Sequence, residues 1–236
     1  MPTFIKSLTF STATLINKLN PNFYLNEPIN ITEGYCVKSF TGINTVLNID
    51  TRNNRFSFNE SDTPGTIRNF TIPSGNYTIA TFMTALKTGF DTEGSVVYTV
   101  TNNALINIIT IAGASKTFKI LPIANNSYYE AGFDISGSFS ISQVASNTFD
   151  LSGIKEINVV CNAFGNSSIV VNRNLNVICT IPVSVPYLGV ITYNPPIVFI
   201  DSQTQGISAF EFLLFDELYR PLTLTNNWSL NLLFEV

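Results

Sequence analysis

The sequence predicts an all-β protein, an antiparallel β-sandwich with one or two short helices in its connecting loops. Three observations predict it. Short runs rich in Val, Ile, Phe and Thr follow one another along the chain, separated by Asn, Gly and Pro residues that tolerate turn geometry. Residues 228–236 alternate, with Trp228, Leu230, Leu232, Phe234 and Val236 on one face and Ser229, Asn231 and Glu235 on the other; only Leu233 breaks the pattern. A single stretch, residues 78–90, shows helical spacing instead.

Taken in order, residues 4–10 form an apolar opening stretch and residues 11–20 are polar and rich in Thr and Asn. Residues 1–20 are expected to be an arm that orders against neighbours, and residues 21–236 a single domain. Strands are expected at 22–25, 35–40, 46–49 and 55–58, with turns at Pro28, Gly34, Gly42 and Asn53-Asn54. Ile79, Phe82, Met83, Leu86 and Phe90 then recur at helical spacing, with Thr78 as N-cap and Gly89 as the C-terminal stop of about three turns. That helix is expected to cover an open end of the sandwich. A shorter helix is placed at 127–131, before Gly132.

Residues 96–100, 105–111 and 117–121 read as an antiparallel meander turning at Asn102-Asn103 and Gly113-Ala114-Ser115. Ile157, Val159 and Cys161 alternate with Asn158 and Val160. Pro182, Pro186 and Pro195-Pro196 bracket strands at 177–183 and 190–193, which marks them as edges, because a central strand needs every N–H. Residues 207–215 are apolar on both faces and so belong at the centre of a sheet. Residues 216–221 form the turn before the last strand.

The 45% hydrophobic content and mean hydropathy of +0.24 fill a core. Charged residues reach only 12%, against about 25% in ordinary soluble domains. Asn, Ser and Thr make the surface polar instead. A surface so poor in like-charge repulsion associates readily with itself or with partners. The net charge is −4, and Lys6, Lys18, Lys38, Arg52, Arg55 and Arg68 are scattered without a run; Arg52 with Arg55 and Lys116 with Lys119 are the densest pairs. No nucleic-acid stripe is expected. Cys36, Cys161 and Cys179 lie far apart in strand-like stretches, as buried thiols in a reducing compartment would. The opening residues lack the pattern of a secretory signal, and no apolar run is long enough to span a membrane. Asn-x-Ser/Thr triplets at Asn30, Asn69 and Asn227 are what so Asn-rich a chain produces by chance.

The chain has no histidine, which removes the commonest general base and metal ligand and every Ser–His or Cys–His nucleophile. The remaining catalytic route is a pair of carboxylates across a cleft. Glu211 with Asp216, or Asp201 with Glu217, are the candidates, although acids near strand ends usually satisfy turns. Gly113-Ala114-Ser115-Lys116 lacks the first glycine and the following helix of a phosphate loop. No catalytic, cofactor-binding or metal-ligating residue is assigned, although dispersed carboxylates could still meet at a calcium site.

The order of features resembles the single-jelly-roll penton and minor capsid proteins of virophages, polinton-like viruses and related large double-stranded DNA viruses. Phe70-Thr71-Ile72-Pro73-Ser74-Gly75-Asn76-Tyr77-Thr78, followed by Phe82 and Leu86, is similar to that family's Ile-Pro-x-Gly-x-Tyr-Thr approach into a helix. Ala131-Gly132-Phe133 resembles its Leu-Gly-Phe turn, with alanine for leucine. Residues 149–154 and 157–159, with Leu175 and Ile181-Pro182-Val183, resemble a further recurrent run. Phe212-Leu213-Leu214-Phe215-Asp216, Arg220-Pro221-Leu222 and Asn227-Trp228-Ser229-Leu230 resemble its close, although Glu217-Leu218-Tyr219-Arg220 replaces a Gly-containing turn.

The resemblance implies a single jelly roll of two four-stranded sheets in a structural subunit of an icosahedral virion, with no catalytic role. It implies a homopentameric penton at the vertex, in contact with major capsid capsomers; direct contact to nucleic acid is not expected, on the charge distribution above. A minor capsid or cement subunit of the same fold is the near alternative. A jelly-roll attachment or carbohydrate-binding protein is the alternative of another class.

Overall fold

The structure is a computed structural model that describes residues 4–14, 21–63, 65–122, 127, 129–133, 138–164, 168–170 and 173–236. In chain order the elements begin with β1 (Ile5–Ser11), β2 (Asn22–Ile31) and β3 (Gly34–Ile43). There follow β4 (Arg55–Glu60), β5 (Arg68–Thr71), α1 (Ile79–Glu93), β6 (Tyr98–Asn103), β7 (Ile108–Gly113), β8 (Phe118–Leu121) and β9 (Ser142–Val144). Next come β10 (Glu156–Cys161), β11 (Ser168–Val170), β12 (Arg173–Leu175), β13 (Val177–Pro182) and β14 (Val190–Tyr193). The last are β15 (Ile200–Asp201), β16 (Thr204–Phe215), β17 (Pro221–Leu222) and β18 (Trp228–Glu235). All the strand pairings are antiparallel. The chain divides into two compact units: Met1–Val46 with Ile154–Val236, and Leu47–Gly153.

The first unit is a sandwich. One sheet has the order β1-β18-β3-β14, with β15 also on β3, and the other β13-β10-β16-β17, with β2 also on β16. Each thus has five strands where four were expected. Phe212 meets Trp228 at 6.4 Å and Phe210 meets Phe234 at 5.7 Å between ring centroids, so aromatic rings from the two sheets interdigitate in the core. The alternation read in residues 228–236 places Trp228, Leu230, Leu232 and Phe234 in this core; Leu233 is also buried, on the opposite face. β16 is central, as its two apolar faces predicted, and β13 and β14 are edge strands, as their prolines predicted.

Two turn signals fell inside strands. Gly42 lies within β3 opposite Trp228, and a Cβ there would sit 3.1 Å from the tryptophan Cβ and 3.3 Å from the Phe40 ring, closer than ordinary contact. Pro28 lies within β2, which among the described residues pairs with β16 alone and so can spare an N–H. Residues 5–11, read as part of an arm, are strand β1, bonded along β18 from Ile5↔Glu235 to Ser11↔Ser229. The Thr12 hydroxyl then takes the Trp228 N–H at 2.9 Å and donates to the Trp228 carbonyl at 3.3 Å. Residues 15–20 lie outside the described residues.

The second unit holds two three-stranded sheets, β5-β4-β8 and β6-β7-β9, and the helix α1. Its core is aromatic: Phe56, Phe58, Phe70, Phe82, Phe90, Tyr98 and Phe118 pack with Leu86, Ile109 and Ile111. α1 starts at the predicted cap, where the Thr78 hydroxyl accepts the Thr81 N–H and the Thr81 hydroxyl accepts the Thr78 N–H at 2.9 Å. It does not stop at Gly89 but runs to Glu93, and Gly94 closes it by donating to the Phe90 carbonyl at 2.8 Å. Gly89 is small for another reason: a Cβ there would lie 2.2 Å from the Phe70 ring.

Gly89→Ala therefore separates two effects. Helix propensity alone would stabilise the variant by about 1 kcal/mol, whereas overpacking against Phe70 costs about 1–3 kcal/mol. We expect a net loss in chemical denaturation; a gain would mean that the ring yields freely.

The remaining differences are local. Residues 46–49 do not form a strand, because the Asn48 side chain bonds Tyr77 N–H and Tyr77 and Leu151 carbonyls at 2.8–3.0 Å, in place of a ladder. The turn expected at Asn102-Asn103 comes later, with Asn107 at φ +54° and Leu105 at the exposed tip. β8 pairs with β4 instead of continuing the meander. Of the stretch 127–131, Tyr128 lies outside the described residues; at its ends the Ala131 N–H bonds the Ser127 carbonyl at 3.1 Å.

Candidate functional site

Of the four acids singled out as two catalytic pairs, Asp216 is engaged in its own turn and the others lie apart from it in separate settings. Asp216 is fully buried; its Oδ1 accepts the Leu218 and Arg220 N–H groups at 3.0 and 2.8 Å, and its Oδ2 accepts Arg220 Nε at 2.7 Å. This clamps the tip in which Tyr219 takes φ +55°. Glu217 accepts the Lys155 N–H at 3.2 Å, and Glu211 accepts from Asn162 at 3.4 Å. Asp201 lies in the two-residue strand β15, beside Glu33, Ser202 and Gln203 on an open surface depression. Among the described residues no three acids, cysteines or histidines come together as a metal would need.

The three thiols are free, and Cys36 and Cys161 are buried. Burial pushes Cys161 and Cys179 up to about 12, which leaves them protonated and poor nucleophiles. Tyr35 is pushed up to about 12 by its own burial and by those two sulfurs. The basic pairs are also accounted for in part: Arg52 is bridged to Asp50 at 2.7 Å, Lys116 to Asp62, and Lys119 lies 5.3 Å from the Phe139 ring centroid.

One polar centre escaped the sequence reading. Glu60, fully buried at the end of β4, accepts the Ser95 N–H at 2.8 Å, the Ser95 hydroxyl at 2.7 Å and the Tyr98 hydroxyl at 2.9 Å, and is bridged by Arg68 at 3.0 Å. Burial alone would raise its carboxyl, but the Ser95 and Tyr98 hydrogen bonds and the Arg68 charge hold it below its ordinary value. Burial and Glu60 together push the Tyr98 phenol well up. Arg68 also donates to the Glu93 carbonyl at 2.5 Å, which ties β4, β5, β6 and the end of α1 to one carboxylate. The acid sits in Ser-Phe-Asn-Glu-Ser-Asp, which reads as an ordinary strand end, and no local signal distinguishes it.

In the first unit exposed large apolar side chains lie at the two edges of one sheet, besides Tyr24 and Leu218 elsewhere. β1 and β14 are the terminal strands in the order β1-β18-β3-β14. At the β1 edge Phe4 and Ile5 are 68% and 60% exposed. At the other, Leu188, Val190, Ile197, Val198 and Ile200 are all exposed, with Leu188 in the left-handed region at φ +66°. Large apolar side chains grouped this way mark contact surfaces.

The fold is the antiparallel all-β jelly-roll sandwich that the sequence predicts. It is shared with the mavirus penton protein, known from the crystal structure of its selenomethionine-labelled form: the TM-score is 0.54, the identity 11%, and the match covers 98% of this chain and 99% of that one. No family model and no curated protein matches the chain.

Proposed function

We propose that this chain is a structural subunit of an icosahedral viral capsid, the penton at its vertices, with no catalytic role. The observation that carries this reading is a fold shared with a penton protein along nearly the whole of both chains. The subunit assembles as a homopentamer and contacts major capsid capsomers, and it resides in the virion after synthesis in the host cytoplasm.

The two apolar edges of the β1-β18-β3-β14 sheet support the ring. They differ in composition, so a β1 edge meeting a neighbour's β14–β15 edge is a heterologous contact, the kind that closes into rings. Obligate contacts of this type bury about 2,000 Å² or more.

Mass measurement in solution tests it, since the purified chain should run as a pentamer. Ile5→Asp and Val190→Asp, at exposed positions of opposite edges, should each give monomers, and an equimolar mixture should give dimers, because one sound interface remains between the two variants. Pentamers that persist in both variants, or a location away from the vertices in averaged particle images, would sink the reading. Projection from the shell together with binding on a glycan array would favour the attachment alternative.

A further inference from the structure

β5 is an edge strand, and the edge it leaves open faces a groove. It pairs only with β4, in the register Arg68↔Phe58 and Phe70↔Phe56, and the Ile72 N–H continues the ladder to the Asn54 carbonyl at 2.7 Å. In an antiparallel pair the bonded residues alternate. The main-chain groups of Arg68, Phe70 and Ile72 therefore point to β4, and those of Asn69 and Thr71 point away. No described strand pairs with that side.

The groove beside it has a volume of about 630 Å³, within the range of ligand sites. β5 and the following Ile72 and Pro73 form one wall, and α1 forms the other through Thr81, Thr84, Ala85, Thr88 and Thr92. The four threonine hydroxyls donate to the helix's own carbonyls, those of Thr78, Ala80, Thr84 and Thr88, at 2.8–3.0 Å. Their hydrogens are spent within the helix. An exposed face four threonines long therefore offers no donor to a ligand and no charge, while the opposite wall offers two N–H groups and two carbonyls at strand spacing.

An edge strand running beside a helix across such a groove is the arrangement that receives an extended peptide as an added strand. The charge at one end defines the occupant further. Glu93 closes the groove next to Arg68, whose guanidinium is already bridged to Glu60, so this end carries net negative charge.

We propose that the β5–α1 groove binds an extended polypeptide segment that adds antiparallel to β5, lays uncharged side chains along the threonine face and brings a basic residue at its C-terminal end to Glu93. This site is separate from the sheet edges assigned to ring closure and does not depend on that assignment.

The probes are two fluorescein-labelled peptides of alternating valine and threonine, one ending in amidated lysine and the other in glutamate. The lysine peptide should bind saturably, and more tightly than the glutamate peptide by about tenfold. Glu93→Lys should reverse that order. Thr71→Pro removes an outward N–H without touching the β4 ladder and should weaken the lysine peptide by at least about tenfold, with thermal unfolding as the check that the variant is folded. In hydrogen exchange the Asn69 and Thr71 amides should gain protection on binding. Absence of saturable binding up to about 1 mM peptide overturns the proposal. So does an unchanged order with Glu93→Lys, or equal binding by folded Thr71→Pro. An unmodified chain that binds the peptide but forms no pentamers would count against ring closure alone.

Discussion

Phe90→Ala is expected to destabilise the Leu47–Gly153 unit by about 3–5 kcal/mol. Phe90 is fully buried and touches five aromatic rings: Phe58 at 4.6 Å, Tyr98 at 5.1, Phe70 at 5.3, Phe56 at 5.4 and Phe118 at 5.8 Å between centroids. Truncation removes its own buried area and leaves a cavity lined by rings that are themselves held by neighbours, so little collapse can recover the loss. Equilibrium denaturation measures it. Leu105→Ala, at a hairpin tip 94% exposed, is the control and should change stability by less than about 0.5 kcal/mol. A Phe90→Ala loss as small as that of the control would mean that the aromatic cluster is not what holds this unit together.

Glu60→Ala should cost a similar amount, about 3–5 kcal/mol, because it strands Arg68 and the Tyr98 hydroxyl around an emptied buried site. Glu60→Gln keeps the shape and loses the charge, and its pH dependence identifies the mechanism. The folded carboxyl titrates below its ordinary 4.5, so its stabilising contribution is complete above that value and is lost as pH falls through the lower folded value. The stability gap between wild type and Glu60→Gln should accordingly be widest near neutral pH and close on acidification below about 4.5. A gap that stays constant between pH 7 and pH 3 would show that the carboxylate charge contributes nothing.

How far the sequence revealed this structure depended on whether the deciding interaction was local. β18 was legible because alternation is a property of neighbouring residues. The Thr78 cap was legible because its partner, Thr81, is three residues away. Gly89 was misread as punctuation because the ring that requires its missing Cβ, Phe70, is distant in the chain, and Gly42 because its strand partner Trp228 is. The same holds for Asn48, whose amide replaces a strand ladder through contacts with Tyr77 and Leu151, and for Glu60, whose partners arrive from β5 and β6. The prolines marked β14 as an edge, but the exposure of Leu188, Val190 and Ile197 along it follows from the strand order, which no local pattern reports. The groove beside β5 depended on which side of a four-residue strand was left without a partner, and no pattern within those four residues reports it.

The position of β18 between β1 and β3 also governs the timetable of synthesis. Thr12 and Trp228, joined by two hydrogen bonds, are 216 positions apart. While a ribosome is still making the intervening chain, β1 and β3 have emerged with no strand to separate them, and each carries unsatisfied backbone groups. The contiguous Leu47–Gly153 segment can fold once it has left the ribosome, but the sandwich must wait for β18. Nascent copies in a crowded polysome therefore face the hazard of pairing with one another, and a holdase that shields β3 until translation reaches Trp228 would raise the yield of correctly folded subunits.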